Sequence, residues 1–298
     1  MPKQNSIGKK YFLIFKISYN LFYFILGMIL LFIISFSLFY FVQKEQNIQE
    51  TILANKMAEQ AKKNDVYWRE LGIKIFGDLK KMVAEKNQMT GIEAKEFQDD
   101  IGEGLSYLIK AKELNIKSYD NWLALARFYD FFIPYVAGFE SDASEHYLYI
   151  LKNFSADYDV KRHAVRVLII NSDKASQAGK NETSKSSLSI ASELSKNLSQ
   201  NDPVNLFGKY YEALIARRLK NYNFATSTLE QIKPFLNKEP DLYFELGMAY
   251  LETNQFEKAK INFETSSKMS DVYQKNCAIY LRMINEKMDK KATLKKRG

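Results

Sequence analysis

Between residues 241 and 271 the apolar positions fall into two helical runs separated by a polar turn. Tyr243, Leu246, Gly247 and Tyr250 recur at three- and four-residue spacing; after Thr253, Asn254 and Gln255 the spacing resumes with Phe256, Ala259, Phe263 and a small Ser266. Such spacing puts one apolar stripe on each of two helices. The small Gly247 and Ala259 are expected to face each other where the helices cross. Moving the pattern back 34 residues puts Tyr222, Ala225 and Leu229 in the places of Phe256, Ala259 and Phe263, and Ala213 and Ala216 in those of Gly247 and Tyr250. Farther upstream, Trp122, Leu125, Ala126 and Tyr129 repeat the first-helix spacing, and Gly104, Leu108 and Ala111 repeat the second helix of the unit before. Hairpins repeated at a fixed period, each unable to bury its own apolar face, predict an all-α solenoid.

The order of bulky and small positions, densest at 241–271, good at 104–129 and partial elsewhere, resembles the tetratricopeptide repeat (TPR). The clearest units are 204–239 and 240–271, with 272–288 as a capping helix and 289–298 as a basic, disordered tail. Trp68, Leu71, Gly72 and Ile75 open an earlier unit, read as a first helix over 66–85 and a second over 92–114, whose Gly104 comes about 20 residues late. An insertion at 131–141 delays the following helix, at 143–153, by about five residues. A first helix is read over 160–171, and the Ser-, Lys- and Asn-rich stretch 172–187 is predicted to be an exposed loop. The solenoid as a whole is placed at 65–288.

The resemblance implies a protein-binding scaffold without catalysis, whose first helices line a concave groove. The groove positions it implies are Asp120, Leu123, Arg127 and Asp130, then Phe207, Tyr210, Leu214 and Arg217, then Asp241, Phe244, Met248 and Leu251. Family members that clamp a C-terminal carboxylate use Lys and Asn there, and this sequence has neither. What is left is an apolar strip of Leu123, Tyr210, Leu214, Phe244 and Met248 beside Arg127 and Arg217, suited to an amphipathic helix or apolar segment of a partner.

Ahead of the repeats, residues 21–42 run for 22 positions without a charge. As a helix they span roughly 33 Å, enough to cross the hydrocarbon core. Lys3, Lys9, Lys10 and Lys16, with no acid in the first 20 residues, place the N-terminus in the cytoplasm. The expectation is therefore a single-pass inner-membrane protein: basic tail 1–20, membrane helix 21–42, helical stalk 43–64, and the repeats on the periplasmic side. In layout it resembles the anchored TPR proteins of the periplasmic flagellar motor collar, which implies membership of a large bacterial assembly. The alternative is a chaperone-like adaptor at the secretion machinery that captures translocating chains.

Composition narrows the chemistry. The formal charge is +8, but seven Lys or Arg against two acids from Arg282 onward, together with the N-terminal lysines, account for all of it. The repeats are nearly neutral and offer no basic face for nucleic acid. Two histidines, His146 and His163, and the single Cys277 give a metal site little to build on, and no phosphate loop or nucleophile elbow occurs. Cys277 is expected to be an inert core thiol. Ser141, Asp142 and His146 lie within six residues, where Ser or Asp capping of a helix is the expected role. No catalytic residue, cofactor or metal is assigned.

Overall fold

The computed structural model describes residues 43–45, 59–85, 90–201 and 206–297. The expected membrane span at 21–42 lies outside them, and no helix among the described residues is long and apolar enough to cross a membrane. The chain divides after Tyr67 into two compact units. In the first, residues 43–45 and 59–61 are helical, and a turn at 62–63 interrupts the predicted stalk before its end. Asn64 Oδ1 then accepts the Val66 N–H at 2.9 Å and starts a new helix.

The helices from there on are α1 (Asp65–Glu85), α2 (Gly91–Leu114), α3 (Tyr119–Phe132), α4 (Phe139–Asn153), α5 (Tyr158–Gln177), α6 (Asn181–Asn201), α7 (Phe207–Arg218), α8 (Tyr222–Ile232), α9 (Pro240–Glu252), α10 (Phe256–Met269) and α11 (Asp271–Arg297). Among the described residues there is no strand. The helices pack as successive hairpins: α3 on α4, α5 on α6, α7 on α8, α9 on α10, with α11 closing on α10. First helices also touch the next first helix, α5 on α7, α7 on α9 and α9 on α11. That is a TPR-like helical solenoid.

Local chemistry sets the helix ends. Thr90 and Glu93 form a reciprocal capping box at the start of α2, and Asp157 accepts the Val160 N–H at 2.9 Å to start α5. In the α7/α8 and α9/α10 turns the chain reverses through Lys220 at φ 63° and Asn254 at φ 59°. These two residues are 34 positions apart. The N–H of each following residue returns to the helix before it, Asn221 to Ala216 O at 2.8 Å and Gln255 to Tyr250 O at 2.9 Å. The repeat period is thus written in the backbone as well as in the side chains.

Two expectations need correction and one is sharpened. Gly247 does sit at a close approach, and what it meets first is the ring of Phe263: a Cβ at 247 would lie 2.8 Å from that ring. Gly72 faces Leu108 in the corresponding way. The pair is 36 residues apart where Gly247 and Phe263 are 16 apart, which fixes the insertion in the first hairpin at 20. The stretch 172–187 is no loop. α5 runs through Gln177 and α6 starts at Asn181, with only Ala178, Gly179 and Lys180 between. Gly179, at φ 73°, makes the same left-handed turn as Lys220 and Asn254. The serines face the neighbouring helix: Ser172 and Ser184 hydroxyls pair at 2.8 Å, and Ser172, Ser187 and Ser195 are buried. Small hydroxyl side chains that satisfy each other let α5 and α6 pack closely, which composition alone cannot show. Finally, α11 continues as helix through the predicted basic tail to Arg297.

Cys277 is fully buried, and burial pushes its thiol up. Two hydrophobic clusters fill the repeats, one from Phe76 to Val167 and one from Val165 to Ile284. They divide along α5, which gives Ala164 and Val167 to the first and Val165, Leu168 and Ile169 to the second.

Candidate protein-docking groove

Successive first helices are laced together by charged side chains. Arg69 on α1 donates to Asn121 Oδ1 on α3 at 3.1 Å, and Arg127 on α3 lies 3.5 Å from Asp159 on α5. Asp130 on α3, nearly inaccessible, accepts from His163 Nδ1 at 2.8 Å and from the Arg166 guanidinium, both on α5, and from the Tyr147 hydroxyl of α4 at 3.3 Å. Arg218 on α7 forks onto Asp173 of α5, with contacts at 2.7, 2.8 and 3.0 Å. Arg217 Nε donates to Glu245 of α9 at 2.6 Å, and Arg218 lies 3.5 Å from the same carboxylate. Burial alone would raise the Glu245 carboxyl; the Arg218 and Arg217 guanidiniums overrule it and hold it below the ordinary range.

Between these pairs lies a cavity of about 250 Å³ across α5, α7, α9 and α11. Ile169, Ile170, Tyr210, Tyr211, Leu214 and Phe244 form its apolar part, and Arg166, Arg218, Asp241, Glu245 and Tyr273 its polar part. Burial raises Tyr210 well above its usual value, as it does Tyr273, and pushes Tyr211 up to about 12. These phenols stay protonated at neutral pH. Arg166, Arg218 and Glu245 are matched by charges of the chain itself, and Asp241, which is exposed, faces the Tyr273 phenol, so the buried part of the cavity offers shape and apolar surface.

Of the groove positions expected from sequence, the structure brings Tyr210, Leu214, Asp241 and Phe244 to this cavity. Tyr210 and Leu214 lie deep, 8% and 7% exposed. Phe244 is half-buried beneath Tyr273 and Tyr280 of α11, with ring centres 5.1 and 5.8 Å away, so the capping helix covers part of the strip. Met248 packs half-buried on the same cluster, and Arg217 is engaged by Glu245. Leu123 and Arg127 do not line the cavity; Leu123 packs on the N-terminal cluster, and Arg127 is exposed beside Asp159.

The cavity also holds Arg166, Ile169, Ile170, Tyr211, Arg218, Glu245 and Tyr273, which the sequence reading does not include. For two of them a signal existed. Adding the five-residue delay to the 34-residue period moves Asp120, Leu123, Arg127 and Asp130 onto Asp159, Arg162, Arg166 and Ile169 of α5. The two histidines are structural. His146 Nδ1 donates to the Asp142 carbonyl at 2.8 Å, its Nε2 lies 3.5 Å from Lys112 Nζ, and burial lowers its pKa. Asp142 therefore meets His146 through its backbone. Neither Ser141 nor Asp142 caps α4, since the cap is Gly138 at φ 93° and both lie in the first turn. Among the described residues, no three His, Cys, Asp or Glu side chains are grouped so as to hold a metal ion.

No family model and no curated protein matches the chain. Among solved structures it is similar to a thermophilic TPR protein of Thermus thermophilus, at 14% identity over 73% of this chain and 98% of that one, with a TM-score of 0.49. It is also similar to YrrB, described as a TPR protein with an unusual peptide-binding site, at 12% identity over 69% and 97% of the two chains and a TM-score of 0.43. MamA is similar at 13% identity over 69% and 95%, with a TM-score of 0.44. At these scores none of them informs the groove.

Proposed function

We propose that this chain is a non-enzymatic, membrane-anchored scaffold that docks a partner protein in the cavity across α5, α7, α9 and α11, as part of a large assembly on the periplasmic side of the inner membrane. The observation that carries the docking reading is a cavity with an apolar floor whose Arg166, Arg218 and Glu245 are already matched within the chain. An apolar side chain of a partner enters it without stranding a charge. The anchor rests on the uncharged run 21–42, and the orientation on the lysines before it. The layout makes a periplasmic flagellar motor collar the first assembly to examine.

The test is photocrosslinking in native membranes from position 170, which lines the cavity half-buried, with position 227, exposed on α8, as the comparison. One dominant stoichiometric product from 170, absent from 227 and lost in an Ile170→Glu variant that keeps its helicity, is expected. A ladder of many short-lived products would mark the adaptor at the secretion machinery instead. Capture undiminished by Ile170→Glu would remove the cavity as the docking face.

A further inference from the structure

A larger depression lies away from that cavity. It is a groove of about 850 Å³ along α6, reaching Leu151 at the end of α4, Lys161 on α5 and Leu219 after α7. From Lys185 to Gln200 it follows α6 for roughly 22 Å, the length of about four helical turns. Its floor is leucine: Leu188 is 6% exposed, and Leu151 and Leu194 are half-buried. Ser189 and Ser192 line the α6 wall, where small side chains allow a close approach.

Lysines stand over this floor. Lys161, Lys185 and Lys196 line the groove against one acid, Glu193. Lys185 pairs with Glu182 at 3.2 Å; Lys161 and Lys196 form no ion pair among the described residues. An apolar trough beside uncompensated ammonium groups calls for an occupant that is convex, apolar along one seam and negative beside it. We propose that this groove docks one amphipathic helix of a partner protein, about four turns long, with a leucine-type seam flanked by Asp or Glu. An anionic bilayer fits the charge but not the shape, because Leu188 is buried and Leu151 and Leu194 are half-buried, so that of the lining leucines only Leu219 is open to a flat surface. The site shares no lining residue with the cavity described above, so the scaffold would hold two partners at once.

The experiment uses the full chain in nanodiscs of zwitterionic lipid. The probe is a fluorescein-labelled 18-residue helical peptide with a leucine seam and glutamate flanks, compared with the same peptide carrying lysine flanks, by anisotropy against empty nanodiscs. At least tenfold tighter binding of the glutamate peptide is expected. A Lys161→Glu/Lys196→Glu variant, with helicity and melting temperature preserved, should reverse the preference. Ser192→Trp, which fills the trough without changing charge, should abolish binding, and Ile170→Glu in the other cavity should leave it unchanged. Equal binding of both peptides, no binding of either, or loss through Ile170→Glu would overturn the proposal. So would lysine-dependent binding of phosphatidylserine vesicles without peptide binding, which would assign the lysines to a lipid surface.

Discussion

In the hairpins α7/α8 and α9/α10 the helices are 11 to 14 residues long, and both hairpins turn through a left-handed residue at the same repeat position. At the other end of the repeats α1 and α2 run to 21 and 24 residues. The interiors differ in their share of aromatic residues. Around Phe132, which is fully buried, the rings of Phe76, Phe97, Phe128 and Tyr135 stand with centres 4.8 to 6.2 Å away. In the C-terminal hairpins aliphatic residues, Leu229, Ile232, Leu242 and Leu246, make up more of the interior, and Phe263, seated over Gly247, meets the rings of Phe244 and Tyr280. The hairpin lengthened by 20 residues adds Phe76 and Phe97, which pack on Phe128 and Phe132 of α3 and make this end the more aromatic of the two.

The largest effect should come from removing the centre of the aromatic cluster. Phe132→Ala is expected to cost about 3–5 kcal/mol, as large-to-small changes in packed cores do. Because each hairpin touches only its neighbours, hydrogen exchange should show α1 to α4 opening while α7 to α10 stay protected. Uniform loss of protection across all the helices would show that the two regions fold as one and that the contrast is only compositional.

A smaller effect is expected at the ionic contacts, and it sharpens the comparison by pH. Glu245 is held below its ordinary 4.5 in the folded chain. Its contribution is therefore complete above that value and is lost as pH falls through the folded value. Glu245→Gln should cost about 1.5–3 kcal/mol at pH 7, and the penalty should shrink as the parent is acidified below 4.5. Urea unfolding from pH 7 down to pH 3 measures it. A penalty that stayed constant with pH would mean the carboxylate charge contributes nothing at this position.

The smallest effect concerns the shared turn. Lys220 holds a left-handed conformation that costs a residue with a Cβ about 1–2 kcal/mol, whereas Gly179 holds the equivalent one freely. Lys220→Gly should stabilise the chain by about 1 kcal/mol and Gly179→Ala should destabilise it by a similar amount, both read from urea midpoints. If the two changes moved stability in the same direction, the turns would not be equivalent.

Much of this architecture was legible before any coordinates. Gly247, Ala259 and Phe263, shifted by 34 residues onto Ala213, Ala225 and Leu229, mark the hairpins, and all six are buried. Their spacing is a local property of helices, and a repeated local pattern survives in a linear sequence. The Ser-rich α5/α6 junction reads as a loop because polar composition resembles one until the partner helix supplies a hydrogen-bond partner, as Ser172 does for Ser184 and Asn171 for Ser187. Gly179 followed by Asn181 was the available stop-and-start signal there.

The groove was legible only in part. Sequence register placed Tyr210, Leu214 and Phe244 at its wall. Whether a wall residue meets solvent, the capping helix or an opposite charge depends on elements far away in the chain. Phe244 is covered by Tyr273 and Tyr280 of α11, Arg217 is taken by Glu245 28 residues later, and Asp130 is claimed by Arg166 36 residues later. By itself the sequence determined the helices, their period and the face that each buries, because these follow from spacing within a few turns. Only the tertiary structure decided which charges cancel and which apolar residues remain open, because a curved stack of hairpins sets those distances through the accumulated geometry of every unit between.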